Sequence, residues 1–162
     1  AAVEILATAR RVVGVGNGLS APLATNLAAR LTTIGRAAEA PVDSMYQQIT
    51  ARLLTSDDAV VVTSGSGTNA PSLRAAQAAH LAGSRVIAIS SFDRTPLTPL
   101  ADVQLIVTMP DLTFRDEIAV TSRLPQNILI EGLVAAVMYR LGDAAQAAKA
   151  LAVDAVSDNL TE

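Results

Sequence analysis

Cysteine is absent from the 162 residues of this chain, lysine occurs once, at Lys149, and histidine once, at His80. Without cysteine there is no disulfide framework, no thiolate metal site and no cysteine nucleophile. A single lysine near the C-terminal end excludes a P-loop, which needs Gly-Lys-Ser/Thr, and argues against Schiff-base chemistry. One histidine argues against a histidine-rich metal centre. Aromatic residues are 2% of the chain against 51% hydrophobic residues, so the core must be built from Ala, Val, Leu and Ile. Such small side chains let helices approach a sheet closely. The net charge of −3 gives no bulk attraction to nucleic acid. No apolar run reaches the length of a membrane span and no signal peptide is visible, so a cytoplasmic location without a membrane partner is expected. No resident cofactor is expected either.

What is present is a regular punctuation. Short β-branched runs alternate with apolar-faced helices, and the length suits one domain. Strands are predicted over Arg11–Val15, Ala59–Thr63, Arg85–Ser90 and Val103–Val107. Helices are predicted over Ala2–Ala9, Leu23–Ile34, Met45–Leu54 with Asp43 as cap, Ser72–Ala82, roughly Ala119–Leu141, and Asp143–Ser157. Strands that are continuously apolar and separated by helices imply a parallel sheet covered on both faces.

Two stretches share one grammar: "GVGNGLSAPLATNLAARL" and "TSGSGTNAPSLRAAQAAHL". Each is a strand, a Gly/Ser bend, an Ala-Pro pair and an apolar-faced helix. Both bends would lie at the carboxyl edge of the sheet, where open α/β sheets bind ligands. The first N–H groups of a helix are unpaired and carry partial positive charge. A phosphate placed there collects charge-assisted hydrogen bonds without lysine. Gly65 and Gly67 permit a backbone nest, and Ser64, Ser66, Thr68 and Asn69 add donors. Asn17, Gly18 and Ser20 would face the same crevice from the first bend. The plain alternative is that Ser, Thr, Asn and Gly are ordinary caps and turn residues. A rival reading is dinucleotide binding, since Gly16 to Ala21 fits G-x-G-x-x-A and Glu39 follows at about 20 residues. Against it, "IGRAA" is a poor second strand.

These stretches resemble the sugar isomerase (SIS) domain family. Gly16, Gly18, Ser20 and Gly35 match its first motif, and Ser64, Ser66, Gly67, Gly83 and "VIAIS" match its second. Asn69 stands where threonine is usual. "TPLTPLADVQLIV" is similar to the family's Ser-Pro-Leu…Ala-Asp segment, with Thr95 in place of serine. Ser122 and Arg123 make "FRDEIAVTSRLPQNILIEGL" most similar to the effector domains of RpiR-type bacterial transcription regulators. Isomerases of the hexulose-phosphate kind have a Phe-Glu pair there, with the glutamate as base, and this chain carries Arg123 instead. The resemblance implies a three-layer αβα, flavodoxin-like fold with a five-stranded parallel sheet. It also implies a phosphosugar ligand held by the two bends, and a homodimer or tetramer. DNA would be contacted only through a helix-turn-helix domain upstream of Ala1, with residues 1–162 forming the SIS domain. The alternative it leaves open is an aldose–ketose isomerase, which would need a base; Glu131 and Glu117 are the candidates.

Other residues have plainer expectations. His80 is expected on or near the surface. Asp116 and Glu117 read as a solvated turn. Arg123 reads as a surface arginine, as a partner for the neighbourhood of Glu131, or as a contact reaching ligand across a dimer. Glu131 itself reads as structural. The alanine-rich last helix suits either a second subunit or packing within one.

Overall fold

The computed structural model describes residues 1–119 and 122–160. Five strands form one all-parallel sheet in the order β2-β1-β3-β4-β5. They are β1 (Val12–Gly16), β2 (Ala38–Glu39), β3 (Ala59–Thr63), β4 (Arg85–Ser90) and β5 (Val103–Ile106). Every residue of β1 and β3 is buried, as continuous β-branched runs in a two-sided sheet require. Successive residues serve opposite layers. Val12, Val61, Ile87 and Ile89 pack with helices α1 (Ala2–Thr8), α2 (Ala21–Thr33) and α6 (Leu124–Leu141). Val13, Val60, Val62 and Ala88 pack with α3 (Ser44–Arg52) and α4 (Ala70–Leu81). Three layers result, as expected.

The differences from the sequence reading have local causes. The segment around "IGRAA" does supply a second strand, but only Ala38 and Glu39 pair with β1. In place of one helix from Ala119 there are two, α5 (Phe114–Ala119) and α6. The intervening Val120 and Thr121 lie outside the described residues. Proline suits a helix's first turn and not its interior, and Pro125 sits in the first turn of α6. The last helix, α7 (Asp143–Ser157), buries only Ala145 and leaves Leu151, Val153 and Val156 exposed. Packing within one subunit therefore accounts for its first half alone.

The layers also fix where the crevice lies. The chain leaving β1 enters α2 on one face, and the chain leaving β3 enters α4 on the other. The gap between the carboxyl ends of β1 and β3 is thus the switch point of the sheet.

Candidate functional site

The two bends meet at that switch point. Thr63 closes β3, its single hydroxyl proton shared between Val15 O at 3.0 Å and Ser20 O at 3.2 Å. Asn17 Nδ2 donates to Ser72 Oγ in the first turn of α4 at 2.9 Å and to Gln47 Oε1 at 3.0 Å. Gln47 is 1% exposed, and its Nε2 donates to Gly16 O and Pro41 O. Sequence reasoning missed Gln47, Ser72 and Thr63. The readable signal was a glutamine at the buried position of the apolar-faced helix α3.

The second bend divides its amides between structure and solvent. Ser64 N donates to Ile89 O, Gly67 N to Ser64 O and Thr68 N to Ser66 Oγ. The amides of Gly65, Ser66, Asn69 and Ala70 have no acceptor among the described residues. Ser66 and Thr68 share a hydroxyl–hydroxyl hydrogen bond of 2.9 Å. Asn69 caps α4, its Oδ1 accepting from Ser72 N at 3.1 Å and Ser72 Oγ at 3.0 Å. Only its Nδ2 and main-chain amide remain for a ligand, and Asn17 Nδ2 is taken up internally. Capping and open amides therefore coexist in one bend. Gly67 has φ 65°, and a Cβ there would overlap Thr95, so a glycine is required. On the other side of the crevice, Gly18 is exposed and Ser20 is 6% exposed, its side chain capping nothing in α2.

Behind the second bend lies a buried charged cluster. Glu117, on α5, is 0% exposed, not in a solvated turn. Its carboxylate lies against Gly65 where a Cβ would overlap it. Arg123 Nη1 pairs with Glu117 Oε1, and Ser91 Oγ donates to Glu117 Oε2 at 2.9 Å. Ser91 also receives a hydrogen bond from Gln126 Nε2 at 3.1 Å, and its amide donates to Gly65 O at 2.8 Å. Arg123 thus serves Glu117 and neither the surface nor Glu131; burial of the carboxylate forces the pairing. Ser91 and Gln126 were not picked out from the sequence, since each belongs to a short polar pair, Ser90-Ser91 and Gln126-Asn127, beside an apolar run. Glu131 sits between α6 and α2, half-exposed, and accepts from Arg30 Nη2 at 2.6 Å and Asn26 Nδ2 at 3.4 Å. None of its hydrogen bonds involves either bend. His80 is exposed on α4, as expected.

Glu39 decides the dinucleotide alternative. It does end a second strand, yet it pairs level with Val13, three residues before Gly16. At about 3.3 Å per residue that is about 10 Å short of the crevice, out of place for a ribose.

Comparison with known proteins follows the same lines. The SIS domain model matches residues 5–136. An uncharacterized HTH-type transcriptional regulator of Clostridium perfringens is 26% identical over 138 residues, covering 85% of this chain and 49% of that protein. The chain therefore spans about half of that relative's length. Among solved structures, the Vibrio vulnificus NanR protein complexed with ManNAc-6P superposes with a TM-score of 0.88 at 20% identity, covering 99% of this chain and 60% of that one. The sugar isomerase domain of an RpiR transcription factor from Sphaerobacter thermophilus gives 0.78 at 22% identity, covering 98% and 84%. The last two likenesses establish the fold. With its paired Gly/Ser bends at the β1/β3 switch point and the family model spanning most of its length, the chain belongs to the SIS domain family.

Proposed function

We propose that this chain is the ligand-sensing part of an RpiR-type transcription regulator. It binds a sugar phosphate between the Gly18–Ser20 and Ser64–Asn69 bends and passes occupancy, through subunit association, to a DNA-binding domain carried outside this sequence. One observation carries the reading: the amides of Gly65, Ser66, Asn69 and Ala70, unpartnered among the described residues, lead into the N-terminus of α4, beside a second Gly/Ser bend. A dianionic phosphate satisfies those amides, and the helix dipole favours it there. The sugar hydroxyls meet Ser20, Ser66 and Thr68. NanR, a protein of the same fold, was solved with a phosphosugar, and the Clostridium relative is named a regulator; both support the reading. The exposed apolar residues of α7 support a homodimer or tetramer.

The isomerase alternative needs a base free to take a carbon-bound proton. Glu131 is engaged by Arg30, and Glu117 is engaged by Arg123 and Ser91, so neither carboxylate is disengaged. Calorimetric titration with hexose and pentose phosphates, beside the corresponding free sugars, tests the proposal. A phosphosugar is expected to bind while its free sugar does not, and at 100 times Kd to stabilise the fold by about 2.7 kcal/mol. If no phosphosugar binds at millimolar concentration, the reading is wrong. Exchange of a substrate C–H for deuterium by the full chain, abolished in Glu117→Gln, would replace it by the isomerase.

A further inference from the structure

The cluster behind Gly65 has two unmet hydrogen-bonding atoms of opposite kind. Among the described residues, Arg123 Nε is a buried donor without an acceptor, and Gln126 Oε1 is a buried acceptor without a donor. The two residues stand three apart in sequence, at the cap and in the first turn of α6, a spacing that puts side chains on one helix face. Gln126 is 3% exposed. Its orientation follows from proton counting. Ser91 has one hydroxyl proton, which goes to the Glu117 carboxylate at 2.9 Å, so Ser91 must accept from Gln126. That sets Nε2 toward Ser91 and leaves Oε1 facing away without a partner. Buried polar atoms are nearly always paired, and each exception calls for a group that completes it.

A single hydroxyl donates one hydrogen bond and accepts others, so one such group matches the two unmet atoms in kind. A carboxylate, an ammonium or a methyl group does not. The site adjoins the second bend, because Ser91 N donates to Gly65 O and the Arg123 guanidinium lies against Gly65. Arg123 also lines the groove between α2 and α6 with Pro22, Leu23 and Asn127, on the side of the first bend. We propose that Gln126 is a specificity-determining residue: its Oε1 accepts from one hydroxyl of the bound sugar while Arg123 Nε donates to that same oxygen. This rests on the phosphosugar reading above, and adds which part of the ligand is read and by what.

The test sets the unsubstituted full chain beside Gln126→Met, which keeps the length of the side chain and removes both the Oε1 acceptor and the Nε2 donor to Ser91. Each is titrated with a hexose 6-phosphate, its mono-deoxy analogues and inorganic phosphate. On the unsubstituted chain one deoxy analogue should bind roughly tenfold to a hundredfold more weakly than the parent. In Gln126→Met that gap alone should close, with inorganic phosphate unaffected. Should every deoxy penalty survive the substitution, water or a neighbouring side chain completes these atoms and the inference fails while the phosphosugar reading stands. Should the unsubstituted chain bind neither hexose 6-phosphate nor phosphate, both fail. A readout independent of the variant's folding is the Gln126 side-chain amide resonance of the unsubstituted chain. The parent sugar phosphate should shift it and the discriminated deoxy analogue should not; equal shifts from both would overturn the proposal.

Discussion

Asp58 stands one residue before β3 and is 1% exposed. Burial alone would raise its pKa, but the Thr55 amide at 2.9 Å, the Arg10 guanidinium at 2.9 Å and the Thr55 hydroxyl together hold it below the ordinary value. The unfolded carboxyl titrates near 3.9. The stabilisation from the charged form is therefore complete above that value and is lost as pH falls through the lower native pKa. Asp58→Asn should destabilise by about 2 kcal/mol at pH 7. In urea unfolding its deficit should hold constant down to about pH 5 and shrink below pH 4; a deficit that grows on acidification would reverse the assigned direction. At this scale the sequence was only partly legible. Ser64, Ser66 and Thr68 could be placed in a bend at the carboxyl end of β3, because Gly and Ser after an apolar strand end it in a turn. Glu117 and Arg123 could not, because "FRDE" carries the polarity of a surface turn and becomes buried only through contact with Gly65, distant in sequence.

Among the elements, α4 would join structure to the proposed binding through one residue. Asn69 Oδ1 caps the helix while the adjoining amides stay open. Asn69→Ala should therefore cost about 1 kcal/mol of stability. Asn69→Asp retains the acceptor and should leave stability within about 0.5 kcal/mol, yet it sets a negative charge at the proposed phosphate position. Its phosphosugar affinity should fall at least about tenfold, a loss of roughly 1.4 kcal/mol. Denaturation and calorimetry on the pair separate cap from anion site, and equal affinity in Asn69→Asp and the unsubstituted chain would place the phosphate elsewhere. The elements most legible in sequence were those with a strong period or a cap: β1, β3, β4, and α3 behind Asp43, whose Oδ1 accepts from Tyr46 N at 2.8 Å. The least legible was β2, where two residues pair with β1 and no apolar run can form. The start of α6 was misplaced because helical periodicity runs on past Ala119, whereas Pro125 is what dictates the break.

Across the whole molecule the sheet separates two tasks. Its amino edge holds the Asp58 cluster, and its carboxyl edge holds the bends, with β3 running between them from Ala59 to Thr63. Six residues from Asp58 to Ser64 span about 20 Å. Perturbations more than about 10 Å apart with no shared partner add within about 0.5 kcal/mol. Asp58→Asn should then lower the unfolding free energy equally with and without phosphosugar, leaving the ligand increment unchanged. Asn17→Ala should behave otherwise. Asn17 links the first bend to Gln47 and to Ser72, the residue that Asn69 holds, so its loss should diminish the ligand increment as well as the stability. Urea titrations of the three proteins at fixed multiples of the unsubstituted chain's Kd supply the comparison. The same logic explains why general architecture was readable in advance while the Asn17–Gln47–Ser72 links were not. Alternating burial on the two faces of one sheet is written into each strand separately, but these links exist only once α3 and α4 have packed together on one face, beside the end of β1. If Asp58→Asn altered the ligand increment as much as Asn17→Ala did, the two edges would have to be coupled through the strands, and a rigid sheet separating stability from sensing would be the wrong description of this fold.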